Sequence, residues 1–205
     1  MIIDMGALSP SKVYFTLTQT IIPRPIAWIM TENSNQSLNL APYSYFNAVC
    51  SDPALIMVSL GIKQDGSQKD SLINILENKH CVVHIGDLAS IDAMNESSRE
   101  LNYGESEVSK IGLATTEFDD FTLPRLSAAP IAMGCTFYQH DVIGDSKQNI
   151  LYLKVDKIYY RDDVIHFQEE PFRLKVDALK VDPLCRLGSG DYANLETTHV
   201  RKRPS

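Results

Sequence analysis

The sequence lacks the residue patterns that mark metal centres, disulfide scaffolds and membrane spans. Its four cysteines lie far apart without a Cys-x-x-Cys pair, so we expect reduced, buried thiols rather than a zinc knuckle or a redox dithiol. The five histidines show no ligand spacing paired with a nearby carboxylate, which leaves metal catalysis without support. No apolar run is long enough to span a bilayer, and residues 1–8 lack the features of a signal peptide. These absences predict a soluble, cytoplasmic protein.

Positive charge is also scarce. The chain has 19 basic and 26 acidic residues, a net charge of -7, and so offers no broad basic surface to nucleic acid or to an anionic membrane. Any phosphate that the protein binds must be held locally. The short basic tail at residues 199–205 is interpreted as a solvated terminus rather than a nucleic-acid-binding tail.

Several enzyme motifs are missing or stand in the wrong context. There is no Gly-x-Ser-x-Gly elbow and no phosphate loop ending in Gly-Lys-Ser/Thr, so a hydrolase or a nucleoside triphosphatase has no starting point. Residues 188–193 match Gly-x-Gly-x-x-Ala, but only 12 residues follow, too few for the rest of a βαβ unit. We therefore reject a Rossmann domain.

What is present predicts a single domain over residues 1–205, mainly β with appended helices. Strands Ile26–Thr31 and Leu38–Ala41 flank a turn-forming Asn-Ser-Asn-Gln and form a predicted hairpin. The apolar run Ala54–Leu60 predicts a strand buried on both faces. Arg161–Asp163 is expected to turn the last predicted pair of strands. The remaining predicted strands are 81–85, 130–138, 150–160 and 164–167. This order favours an antiparallel barrel.

Three other segments complete the expected organisation. Ser9 or Ser11 can cap a helix that runs through Thr18, because a side-chain oxygen there accepts a free first-turn N–H. Apolar residues at helical spacing predict an amphipathic helix over 70–78. Residues 95–109 are polar and predict an exposed excursion that could act as a lid.

Lys69-Asp70-Ser71 stands where a polar loop enters that second helix. Free backbone N–H groups and the positive end of the helix dipole favour an anion there, and Lys69 adds a full charge. The Ser71 hydroxyl can donate to a phosphate oxygen, whereas Asp70 is expected to cap the helix. The alternative is an ordinary capped helix without a ligand.

The segment Ala41–Asn47 combines hydroxyl, carboxamide and backbone donors with flat apolar surface. Ser44 and Asn47 are the polar candidates, with Tyr45 and Phe46 beside them. The alternative places Tyr43, Tyr45 and Phe46 as core aromatics, and we expect at least one of the three to be core.

Two further residues have ambiguous roles. Arg24 lies between two prolines that restrict its backbone, so its guanidinium could be held against a phosphate, or it could form a surface ion pair. Trp28 is the only tryptophan, and core packing competes with a cofactor contact.

Taken in order, Pro23-Arg24-Pro25, Asn39–Asn47, Lys69-Asp70-Ser71 and the later 182–192 segment resemble the flavin-reductase-like proteins with an FMN-binding split barrel. The resemblance covers nearly the whole chain. It implies a split β-barrel, a homodimer with FMN near the subunit interface, and FMN contacts from Ser44–Asn47, with Tyr192 and Arg186 as secondary candidates. Ser71 replaces the usual Thr and keeps the hydroxyl. His84 replaces a common Asn, and we expect a structural role for it.

The resemblance implies hydride transfer from NADH or NADPH to bound flavin, with electrons passed on to a flavin, metal or protein acceptor. Flavins supply this chemistry themselves, so no general acid or base is named. A flavoredoxin-like carrier, reduced by a protein partner, is the second hypothesis. A split-barrel protein that has lost its cofactor is the third.

Overall fold

The computed structural model describes residues 1–202 and residue 204. Arg203 and Ser205, part of the predicted solvated tail, lie outside the described residues. The α-helices are α1 (Pro10–Thr20), α2 (Asp70–Asn78), α3 (Ile91–Glu96), α4 (Glu107–Ile111) and α5 (Ala178–Val181). The strands are β1 (Arg24–Pro25), β2 (Ala27–Glu32), β3 (Leu38–Tyr43), β4 (Phe46–Ser51), β5 (Ala54–Leu60), β6 (His80–Ile85), β7 (Thr115–Thr116), β8 (Arg125–Leu126), β9 (Ile131–Ile143), β10 (Gln148–Tyr160), β11 (Ile165–Gln168), β12 (Arg173–Val176), β13 (Cys185–Arg186) and β14 (Tyr192–Ala193). Among the described residues, no helix is long and apolar enough to cross a membrane.

One antiparallel sheet organises the molecule. Its strand order is β3-β2-β6-β9-β10-β5-β4, so β3 and β4 are its two edges. Yet only Ser44 and Tyr45 separate these edge strands along the chain. Because three chain steps reach at most about 11 Å, the sheet must curl until its edges approach at this corner. The result is a barrel that is open where β3 and β4 diverge.

Two hydrophobic clusters lie on opposite faces of this sheet. Ala27 and Ile29 of β2 pack inside the barrel, against residues of β5, β6 and α2. Trp28 and Met30, which alternate with them, pack on the outer face under α3 and the 113–129 region. This alternation is the period of two that a strand imposes on its side chains. Strands β2 and β6 are therefore buried on both faces.

Most of the elements predicted from sequence are present. The β2–β3 hairpin forms around a turn with Gln36 in left-handed backbone, and β5 and α2 have the predicted bounds. Helix α1 does follow Ser9, but Pro10 occupies its first position and the Ser9 side chain makes no capping bond. The mainly β fold with appended helices is confirmed.

Three expectations are corrected. Strand β11 pairs with β12 in a separate hairpin, not with β10, because a turn fixes a change of direction but not the pairing partner. The 95–109 segment is only partly exposed, since Ser97 and the run 106–108 are buried. Cys81 and Cys135 are buried as expected, but Cys50 is exposed and Cys185 is only half-buried.

His84 is a polar residue that the core fully encloses. Its Nδ1 donates to the Trp28 carbonyl at 3.0 Å, and its Nε2 accepts from the Leu126 backbone N–H at 3.0 Å. A neutral ring satisfies both contacts. Burial lowers the pKa of His84 to about 4, because the charged form cannot be hydrated there. The ring therefore serves as a structural cross-link from β6 to β2 and β8.

This burial predicts a pH dependence of stability. The unfolded chain protonates His84 below about pH 6.5 and the folded chain only near pH 4, so stability is lost as pH falls through that window. Between pH 7 and pH 5 we expect the free energy of unfolding to fall by about 2 kcal/mol from this residue. Urea unfolding of the wild type at pH 7 and pH 5 measures this loss of stability. The variant His84→Asn, which has no imidazole to protonate, should lack it. An NMR titration that places the wild-type ring near its ordinary pKa would contradict the prediction.

Candidate functional site

A cavity of about 430 Å³ lies at the open corner of the barrel. The end of β3, the turn at Ser44–Tyr45, the end of β5 and the start of α2 form its walls, and residues 97–101 lie across one side. Its lining residues are Tyr14, Asn39, Ala41, Pro42, Tyr43, Ser44, Tyr45, Ser59, Gly61, Ile62, Lys63, Lys69, Asp70, Ser97, Ser98, Arg99, Glu100, Leu101, Glu107 and Gln148.

The start of α2 contributes Lys69 and Asp70 to the cavity lining. Lys69 is the N-cap residue, and its side chain forms an ion pair with Glu100 at 2.5 Å. Asp70 accepts from Lys63 at 2.6 Å and is the first helical residue, so the expectation that it caps the helix is wrong. Leu72 and Ile73 donate to the Lys69 carbonyl at 3.0 and 3.2 Å, so the N–H groups of Asp70 and Ser71 are the ones left to favour an anion at this end of the helix.

The floor of the cavity is a buried polar network. Asn39 donates to Thr31 Oγ1 at 3.0 Å and to Ser71 Oγ at 2.9 Å. Ser71 is only 1% exposed, so its hydroxyl lies in the floor and not on the cavity wall. Burial raises the pKa of Tyr43, and contact with the Ser71 hydroxyl partly offsets this. These groups orient the end of β3 and the first turn of α2 with respect to each other.

Glu107, the first residue of α4, also reaches the cavity. It is 5% exposed, and its Oε2 accepts from the Leu40 backbone N–H at 2.9 Å. Burial raises the pKa of Glu107, while that accepted hydrogen bond acts in the opposite direction. The contact fixes α4 against edge strand β3, whose N–H groups would otherwise lack partners.

A second cavity of about 330 Å³ adjoins the first across Ser44, Tyr45 and Ser59. Its other lining residues are mostly apolar and comprise Ile21, Pro23, Arg24, Pro25, Phe46, Asn47, Met57 and Ile150. All four residues of the predicted 44–47 segment therefore border one cavity or both. Tyr43 and Phe46 also pack against the barrel core, as expected for at least one aromatic of this segment.

The guanidinium of Arg24 uses its hydrogen-bond donors within the protein itself. Its NH1 donates to the Thr18 and Ile21 carbonyls at 2.5 and 2.9 Å, and its NH2 donates to the Leu187 carbonyl at 2.8 Å. Its Nε donates to Ser44 Oγ at 3.3 Å. With four contacts made and 6% exposure, Arg24 ties the end of α1 and the 187–190 turn to the cavity corner. This arrangement does not leave the guanidinium aimed at a phosphate, and the surface ion pair considered for it is wrong.

Trp28 and Tyr192 lie away from the cavity lining. Trp28 is 2% exposed, and its Nε1 donates to Ser97 Oγ at 2.9 Å, so it supports a lining residue from behind. Tyr192 packs on the outer core and lies under the Arg186 guanidinium at 4.4 Å from the ring centroid. Neither side chain lines either cavity.

Sequence reasoning missed the contributions of Tyr14, of residues 97–101 and of Glu107 to the cavity. The polar composition of residues 95–109 predicts an exposed segment, but nothing in it places that segment beside Lys69. One signal was available. Ser106-Glu107 has the pattern of a helix start, and Ser106 Oγ does accept from the Ser109 N–H at 3.1 Å.

The fold and this corner site define a split-barrel protein of the flavin reductase class. The flavin reductase like domain matches residues 19–174, and the chain belongs to that family.

Individual relatives match the chain over nearly its full length. The uncharacterized protein YwrF of Bacillus subtilis (strain 168) is 33% identical, covering 100% of this chain and 99% of the relative. Nitrilotriacetate monooxygenase component B from Bacillus cereus is 29% identical, with a TM-score of 0.88 and 98% of each chain covered. A structure from Shewanella frigidimarina NCIMB 400, described as a flavin reductase with a split barrel domain, shares the fold at 14% identity, with a TM-score of 0.81 and 98% and 96% covered.

Replacing Arg24 by Met is expected to lower the free energy of unfolding by about 2–4 kcal/mol, because buried backbone carbonyls lose a charged donor. Arg186→Met is the matched control, since that guanidinium contacts the Ser189 and Gly190 carbonyls at the exposed surface, and we expect a loss below about 1 kcal/mol. Urea unfolding measures both. Unchanged stability in Arg24→Met together with weakened binding of a phosphate-bearing ligand would return Arg24 to the role of phosphate ligand.

Proposed function

We propose that the protein is a cytoplasmic FMN-binding oxidoreductase that transfers hydride from NADH or NADPH to flavin and passes electrons on to a flavin, metal or protein acceptor. The observation that carries the proposal is the union of two unlike cavities at one corner. One has a lysine and a helix N-terminus in its wall, and the other is mostly apolar. FMN likewise combines an anionic phosphate with a flat ring that has a large apolar part.

The residues present fit FMN. Lys69 and the first-turn N–H groups of α2 would hold the phosphate, because a compact cation and aligned amides both favour an anion. Ser44, oriented by Arg24, would hydrogen-bond the polar edge of the flavin ring, with Asn47 on the same corner. Tyr45 and Phe46 would border its flat, apolar part. Ser71, which lies in the floor, acts by fixing the first turn of α2 through Asn39.

The flavin, when bound, supplies the redox chemistry. The chain itself supplies position and partial exclusion of water. The cavity is bordered by strands β3 and β5, whose buried residues fix its shape, while residues 97–101 cover it from one side. No side chain is assigned as a general acid or base.

We also propose that the protein is a homodimer joined in part through α1. This helix exposes Tyr14, Phe15 and Leu17, and the chain after it exposes Ile21 and Ile22. Contiguous exposed apolar surface is typical of an interface. Tyr14 also lines the cavity, so a second copy seated on α1 would cover the cavity mouth.

The first experiment is an absorption spectrum of the protein after addition of FMN and desalting, repeated without oxygen after NADH and then NADPH. We expect retained flavin that bleaches with one or both nucleotides. Retained flavin that stays oxidised would favour a flavoredoxin-like carrier reduced by a protein. A colourless protein that does not bind added FMN would overturn the proposal in favour of a barrel that has lost its cofactor.

Lys69→Met tests the phosphate site. We expect FMN to bind at least about tenfold more weakly, since a charge-assisted contact is lost, and riboflavin, which lacks the phosphate, to be unaffected. Quenching of flavin fluorescence measures both affinities. Lys110→Met is the control, because Lys110 pairs with Glu105 at 2.7 Å outside the cavity lining. Equal loss of FMN and riboflavin binding would place the phosphate elsewhere.

Phe15→Glu tests the interface. A buried charge at an apolar contact is costly, so we expect the variant to be largely monomeric by light scattering at a concentration where the wild type is dimeric. Lys12→Glu, an exposed change on the same helix, is the control and should remain dimeric. A monomeric wild type would contradict the proposal.

A further inference from the structure

The lysine expected to hold the cofactor phosphate already carries a carboxylate. Lys69 Nζ lies 2.5 Å from Glu100 Oε1, and the Gln64 backbone N–H points to the other carboxylate oxygen at 3.5 Å. The contact with Lys69 holds the pKa of Glu100 below its usual range, so this carboxylate is charged at neutral pH. Lys69 is thus already paired with an anion that belongs to the protein itself.

The other cationic side chains that line the 430 Å³ cavity are also paired with carboxylates. That cavity's lining contains three cationic side chains. Lys63 pairs with Asp70, Lys69 pairs with Glu100, and Arg99 pairs with Glu96 at 2.7 Å. A phosphate added beside Lys69 would therefore meet a neutralised lysine and the negative charge of Glu100. Like charges held close together oppose binding.

The chain around Glu100 can yield. Residues 98–100 are exposed, whereas Ser97 and Ser106 at the two ends are 1% and 8% exposed. Trp28 holds Ser97, and Ser106 Oγ donates to the Leu38 carbonyl at 2.6 Å. Tyr103 also donates to Asn74, and the Gly104 carbonyl accepts from Ser37, so residues 98–102 are the part that can shift while both anchors hold.

We propose that Glu100 is an internal competitor for the cofactor phosphate and thereby a determinant of which flavin this site selects. This inference rests on the proposed function. FMN binds when its phosphate displaces the Glu100 carboxylate from Lys69, whereas riboflavin binds without that exchange. Glu100 therefore lowers the affinity for FMN but not for riboflavin, and so reduces the ratio of the two affinities.

The test compares FMN and riboflavin affinities of the wild type, Glu100→Gln and Glu105→Gln by fluorescence titration. Glu105 is the matched control, because it lies in the same segment and pairs with Lys110 at 2.7 Å, outside the cavity lining. We expect Glu100→Gln to bind FMN about tenfold more tightly, with riboflavin changed less than about twofold. Glu105→Gln should match the wild type for both flavins.

Each outcome bears on the proposal. FMN affinity unchanged in Glu100→Gln, or equal tightening of both flavins, would overturn it, as would the same gain in Glu105→Gln. Failure of the wild type and all variants to bind any flavin would instead sink the proposed function. Glu100→Ala provides a second variant, and circular dichroism establishes that each variant is folded before titration.

Discussion

The two-residue connection between β3 and β4 is the constraint on which the structure depends. These strands are opposite edges of one sheet, and Ser44–Tyr45 is too short to let them stand apart. The sheet must curl, its inner face becomes the barrel core, and its edges diverge beyond the turn. The Ser59 backbone N–H donates to the Tyr45 carbonyl at 2.8 Å and fixes the turn to β5. The same constraint that closes the barrel thus opens the cavity.

Arg24 and the buried polar network in the cavity floor connect that corner to other segments of the chain. Arg24 joins the end of α1 and the 187–190 turn to Ser44, so segments far apart in sequence meet beside the cavity. Beneath them, Asn39 links β2, β3 and α2 by hydrogen bonds that are shielded from water. Buried polar networks of this kind specify one arrangement when every member is satisfied. A site held this way keeps its lining side chains in fixed positions.

Local signals in the sequence sufficed for much of the fold. Turn residues placed the β2–β3 hairpin, an apolar run placed β5, and helical spacing placed α2. Long-range pairing was harder. The turn at Arg161–Asp163 was identified, but nothing in it shows that β11 pairs with β12. At the site, Lys69 and Ser44 both line the cavity and their roles as ligands stay predictions, whereas the sequence does not indicate the contacts of Arg24 and Glu100. Arg24 donates mainly to backbone carbonyls, which any residue supplies, and Glu100 meets Lys69 across 31 positions.

The segment around Glu100 has a consequence for how this protein family can diverge. Ser97 and Ser106 anchor its ends in the core, and the Gly104 and Glu105 carbonyls accept hydrogen bonds from the β2–β3 hairpin, whereas residues 98–101 border the cavity. Sequence changes at residues 98–102 would alter the charge and reach of this cover while leaving the contacts of residues 103–106 with the hairpin and α2 in place. Ligand preference can therefore change at residues 98–102 while the residues that build the barrel stay the same. Evolution can thus alter which ligand the cavity prefers without altering the barrel that forms it.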